Sequence, residues 1–186
     1  MIRNKSKTQN MVITALFTAL IAAGAYIRIP VSVCPFTLQF LFTTLAGLIL
    51  GKNRGAAAVS LYVIIGLAGV PVFTGGGGIG YILQPTFGYL MGFIAGAYIT
   101  GALSKTRKNS YIGILASCFA GLIVVYAFGM LYYYMISAFY LRSSISVGAL
   151  FLYCFVLAVP GDIGLCIISA ALAKRLMPII HVKGNV

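Results

Sequence analysis

The chain has 186 residues, of which 61% are hydrophobic and only 8% charged, with 13 Lys and Arg against a single acid. A soluble domain carries about 25% charged residues, so this composition excludes one and reads as a membrane protein. The formal charge of +12 does not point to nucleic acid, because the basic residues close apolar runs, within reach of lipid headgroups, and form no aromatic-interleaved patch.

Six hydrophobic elements follow in order, at about 10–27, 36–51, 55–70, 83–103, 110–137 and 146–176. They predict one all-α integral membrane domain over residues 1–186 with about six transmembrane helices. Some are shorter than the ~20 residues of a straight span, so tilt or local thinning is expected. In the first, Ala23, Gly24 and Ala25 resemble a signal-peptidase site, yet the remainder is embedded and the segment is read as a retained helix. Ala15, Ala19 and Ala23 recur every four residues, as do Gly88, Gly92 and Gly96 in the fourth. That spacing lets helix backbones approach closely in lipid.

The basic residues sort by side. Arg3, Lys5 and Lys7; Lys52 and Arg54; Lys105, Arg107 and Lys108; and Lys174, Arg175 and Lys183 share one face if six spans cross. Only Arg28 and Arg142 fall on the other, so the positive-inside rule puts both termini in the cytoplasm. The first external connection, about 28–36, is stiffened by Pro30 and Pro35. The second, about 70–81, carries Gly75, Gly76, Gly77 and Gly78 between Phe73 and Tyr81. No Gly-Lys-Ser/Thr follows that run, so it is no phosphate loop. It reads as a mobile lid over a ligand, or as a flexible loop.

The last element is too long for one straight span. About 31 residues would reach ~46 Å against a ~30 Å core, and Pro160 with Gly161 supplies a break. Asp162, the only carboxylate, follows it in the outer half of the bilayer. An ionised group in lipid costs roughly 2.5–3.5 kcal/mol on insertion scales. A structural ion pair, a proton relay or an anchor for a ligand donor would each keep it there. A relay needs further ionisable groups, and none is evident; the anchor is favoured, with an N–H, ammonium or hydroxyl as its partner. Gln39 and Tyr126 also lie in apolar runs.

Catalysis and metal binding find little material. Cys34, Cys118, Cys154 and Cys166 have no paired spacing, and His181, the only His, lies in the basic tail. No catalytic residue, metal or cofactor is expected, and an enzyme is disfavoured. No repeated filter sequence suggests a channel, and no internal repeat suggests an inverted-repeat transporter.

In order along the chain, Val33-Cys34-Pro35-Phe36-Thr37-Leu38-Gln39, then Gly69-Val70-Pro71-Val72-Phe73 with its glycine run, then Gln84-Pro85-Thr86-Phe87-Gly88-Tyr89-Leu90, then Pro160-Gly161-Asp162 resemble the BioY family. These are the biotin-specific capture subunits of energy-coupling factor transporters. The resemblance implies a six-helix subunit of the bacterial cytoplasmic membrane that binds biotin from outside. It would dock on a transmembrane coupling subunit driven by two ATPases, through Ala15, Ala19 and Ala23. Asp162 would accept from a ureido N–H, and Gln39 would donate to the ureido carbonyl. Phe73, Tyr81 and Tyr126 would cover the rings, with Thr74, the four glycines and Gln84 about the site.

Departures stand beside the likeness. Family members commonly carry Lys where this chain has Leu165, and some carry a basic residue at Leu90. The usual Gly-Pro-Thr-Gly-Gly-Tyr is here Gln84 to Tyr89, and the glycine run has no Asn. The ligand carboxylate then falls to Arg28 or Arg142, or the ligand is a relative such as lipoate or a neutral biotin derivative. The alternative class is a membrane interaction or assembly protein in which Asp162 is structural.

Overall fold

The computed structural model describes residues 2–29, 36–106, 110–141, 148, 152, 156 and 158–182. It is built of helices: α1 (Ile2–Tyr26), α2 (Gln39–Leu50), α3 (Lys52–Leu67), α4 (Phe87–Thr106), α5 (Tyr111–Phe139) and α6 (Val159–Val182). Two short strands, β1 (Arg28–Ile29) and β2 (Phe36–Thr37), pair antiparallel between α1 and α2. Among the described residues, three helical stretches are long and apolar enough to cross a membrane, Lys7–Tyr26, Phe87–Lys105 and Tyr111–Phe139, and α2 is a shorter apolar helix.

The helix ends follow local chemistry. The fourth apolar run starts near residue 83 in sequence, but α4 begins only at Phe87. Pro85 disfavours helical geometry in the residue before it. Gln84 is accordingly extended (φ −78°, ψ 135°), and a 3-10 turn, Ile79–Leu83, occupies the approach. Pro160 acts differently. It lies in the first turn of α6, where the missing N–H has no partner to lose, so Pro160–Gly161 marks a helix start. The preceding stretch of the sixth element, 146–157, lies outside the described residues apart from 148, 152 and 156.

Packing is tightest between α4 and α5. A Cβ added at Gly88 would sit 2.2 Å from Tyr132 Cβ, and one at Gly92 2.8 Å from the Val125 carbonyl oxygen. The every-fourth glycine stripe therefore faces α5 inside the molecule, where it lets the two backbones approach. The alanine stripe faces the other way. Ala15, Ala19 and Ala23 are exposed, while Phe17, Ile21 and Ala25 are buried. On that inner face Thr18 Oγ1 donates to the Ala58 carbonyl of α3 (3.0 Å).

Basic side chains gather at one end of the bundle. Arg54 Nη1 donates to Asn10 Oδ1 (2.9 Å), Lys52 lies over the Tyr98 ring (5.6 Å) and Lys174 over the Tyr111 ring (5.9 Å). A hollow lies beside the start of α2, which is a short helix. Its 12 residues span only about 18 Å at ~1.5 Å each, against a hydrocarbon core of about 30 Å. The helix starts at Gln39, and Phe36 and Thr37 of β2 line the space beside that start.

Candidate ligand-binding site

That space is a cavity with an open mouth, walled by both aromatic and polar side chains. Phe36, Thr37, Gln39 and Phe40 line it from β2 and α2. Thr74 and Tyr81 come from the second connection, Thr86, Tyr89, Leu90 and Phe93 from α4, Val125 and Tyr126 from α5, and Ala158 and Asp162 from α6. The N-terminal ends of α2, α4 and α6 thus converge on one hollow. Each presents the positive end of its dipole, which favours negative charge there.

Asp162 sits in the first turn of α6, where that dipole suits a carboxylate. The buried Tyr126 hydroxyl donates to its Oδ2 at 2.5 Å, the length of a charge-assisted O–H···O bond. Tyr89 packs edge-on against the Tyr126 ring (centroids 6.1 Å apart, 88°). Gly161 contributes by lacking bulk, since a Cβ there would lie 2.5 Å from the Phe36 ring.

Gln39 is 3% exposed, and its amide is oriented by a chain of hydrogen bonds. Nε2 donates to the Tyr62 hydroxyl (2.7 Å), which donates onward to the Val72 carbonyl (3.1 Å). Thr37 Oγ1 donates to Gln39 Oε1 (3.4 Å). An amide nitrogen carries two N–H groups, so one remains for a ligand after Tyr62 has taken the other.

The glycine-rich connection is a packed cap. Phe73 and Gly76 exchange backbone hydrogen bonds (2.9 and 3.1 Å), and the Gly78 N–H donates to the Gly66 carbonyl (2.7 Å). Phe73, 2% exposed, presses on Gly66, where an added Cβ would lie 2.1 Å from its ring. Tyr62 and Tyr81 flank it, with centroids at 5.4 and 4.5 Å. Phe73 therefore anchors the cap from behind, while Thr74 and Tyr81, their hydroxyls 3.0 Å apart, form its cavity side.

Of the residues singled out from sequence, Asp162, Gln39, Tyr126, Thr74 and Tyr81 meet in this cavity. Gly75, Gly76, Gly77 and Gly78 shape the cap behind the lining. Gln84 is exposed and outside the lining. Arg28 points to the cap, its Nη1 donating to the Thr74 carbonyl (2.7 Å). Arg142 lies outside the described residues. Sequence reasoning did not place in the site Thr86, Tyr89, Leu90 and Phe93, whose i, i+3, i+4, i+7 spacing marks one helical face, nor Phe36 and Thr37 beside Gln39, although all but Phe93 lie in the motifs that carry the family resemblance. Among the described residues, no three His, Cys, Asp or Glu side chains gather as a metal site.

Comparison with known proteins bears on the family and the fold. Residues 2–181 match the BioY family. The chain is 42% identical over 177 residues to a "Probable biotin transporter BioY" of Lysinibacillus sphaericus, covering 92% of this chain and 88% of that protein. It is 41% identical over 172 residues to the "Biotin transporter BioY" of Thermotoga maritima, covering 90% and 95%. A crystal structure of the S-component for biotin from an ECF-type ABC transporter superposes with a TM-score of 0.81 at 26% identity, covering 93% of both chains.

Proposed function

Because the chain belongs to the BioY family, we propose that it captures biotin for uptake by an energy-coupling factor system in a bacterial cytoplasmic membrane. One observation carries the reading at the level of chemistry. An oriented acceptor, Asp162, and an oriented donor, Gln39, line a single aromatic-walled cavity.

The biotin ureido ring has two N–H donors and one carbonyl acceptor. Asp162 accepts one N–H on the lone pairs that Tyr126 leaves open, and the second Gln39 N–H donates to the ureido oxygen. Phe40, Phe93, Tyr89 and Tyr126 supply apolar faces for the fused rings. Lipoate has no ureido group, so it would leave the second Gln39 N–H and the open Asp162 lone pairs unmatched. Sites built this way reject such ligands strongly. For the carboxylate tail, the three helix N-termini offer a favourable field.

Capture is then followed by docking. The exposed Ala15, Ala19 and Ala23 stripe of α1 suits close contact with a helix of the transmembrane coupling subunit, which two ATPase subunits power. Mass spectrometry of small molecules carried through purification in detergent, followed by calorimetric titration with biotin and lipoate, tests the reading. Co-purified or tightly binding biotin is the expected result. Preference for lipoate, or no binding of either, contradicts it.

A further inference from the structure

The outer end of α1 is tied to the cap at two points. The Tyr26 hydroxyl donates to the Pro71 carbonyl, and Arg28 Nη1 donates to the Thr74 carbonyl at 2.7 Å. Both donors stand on exposed residues. Both acceptors are backbone oxygens, and between them lies the buried Phe73. From Thr74 the linkage continues inward, because its hydroxyl meets that of Tyr81 and both side chains line the cavity. The base of the cap has its own anchors, the Gly78–Gly66 hydrogen bond and the Phe73 ring on Gly66. Its front edge is held by Tyr26 and Arg28.

We propose that Tyr26 and Arg28 are positioning residues of the ligand gate. They hold the Thr74–Tyr81 wall over the cavity and set how fast ligand arrives and leaves, without touching it. The inference rests on the biotin-capture reading of the cavity. It gives the Arg28 guanidinium a backbone carbonyl as its partner in place of the ligand carboxylate. A segment fastened at two points opens freely only when both bonds are broken, so removing both should have a larger effect than removing either one. The gate then affects arrival and release alike, and affinity changes little.

The test uses the full-length protein in lipid nanodiscs, with Tyr26→Phe, Arg28→Gln, the double variant and the conservative Arg28→Lys. Hydrogen exchange of the 70–78 peptide without ligand should be about thirtyfold faster in the double variant, the scale of losing one neutral hydrogen bond and one from a charged group. It should be intermediate in the single variants and partly restored in Arg28→Lys. Exchange in α5 should not change, which separates a gate from general destabilisation. Association and dissociation rates for biotin should rise together by about tenfold, leaving Kd within about threefold. Unchanged exchange at 70–78 in the double variant would overturn the proposal. So would an Arg28→Gln loss of affinity for biotin that is absent for its neutral amide, since Arg28 would then be a ligand contact. Failure of the wild type to bind biotin would overturn the capture reading alone, and the exchange measurement would still decide the gate.

Discussion

The Tyr126 hydroxyl donates to Asp162 Oδ2 at 2.5 Å, joining the middle of α5 to the first turn of α6 across 36 positions of sequence. The bond turns an expensive charge in an apolar run into an oriented acceptor. It occupies one carboxylate oxygen and leaves lone pairs that face the cavity. The remaining polar groups of the site extend this arrangement, with Gln39 set by Tyr62 and Thr37 and the cap set by Phe73.

Tyr126→Phe keeps the ring against Tyr89 but removes the donor. Asp162 then loses the hydroxyl that orients it at the cavity wall, and one hydrogen bond to a carboxylate, typically worth about 1.5–3 kcal/mol, is lost. Biotin affinity should fall about tenfold while the helical content stays the same. Calorimetry beside circular dichroism would check both.

The two glutamines should behave differently. Gln39→Ala removes the donor proposed for the ureido oxygen and also takes from Tyr62 the amide that donates to it, so affinity should drop by ten- to a hundredfold, about 1.4–2.8 kcal/mol. Gln84 is exposed and outside the lining, so Gln84→Ala should leave affinity within about twofold. Parallel titrations of the two variants make the comparison.

Gly88→Ala tests the core that supports the site. The new methyl group would meet Tyr132 Cβ at 2.2 Å and the Phe128 carbonyl oxygen at 2.8 Å, so α4 and α5 must separate. Overpacking of this kind costs about 1–3 kcal/mol, and the thermal midpoint in detergent should fall. Gly66→Ala should act locally, expelling Phe73 and loosening the cap, which limited proteolysis across 70–81 would reveal.

Much of this was readable from the chain. The all-helical membrane class followed from apolar runs closed by Lys and Arg. Asp162, Gln39 and Tyr126 stood out because polar groups in apolar runs need partners. Other features were hidden for physical reasons. Nothing local says that α2 starts only at Gln39, because the apolar run in the sequence already begins at Phe36. The glycine run is compatible with contact on either side of the loop. Only the seating of Phe73 on Gly66 shows which side faces the cavity. Thr86 and Tyr89 share a helical face with Leu90 and Phe93, but that face is distinguished only once α5 covers the glycines beside it.

The docking role proposed for the alanine stripe can be tested apart from the ligand site. Ala19 is exposed and lies on a helix face that contributes nothing to the cavity. Ala19→Trp should leave biotin affinity unchanged within about twofold, while contact with the coupling subunit, and uptake with it, should be lost. Co-purification with that subunit and cellular uptake of labelled biotin would show the split.

The most direct measurement is calorimetric titration of biotin against the wild type and Asp162→Asn. The amide keeps the size of the side chain but removes its charge and replaces one acceptor with a donor, so a single oxygen is left for both the Tyr126 hydroxyl and the ureido N–H. The account predicts tight binding to the wild type and at least a hundredfold loss in the variant, about 2.7 kcal/mol or more, with folding intact. Equal affinity for the two proteins would contradict it.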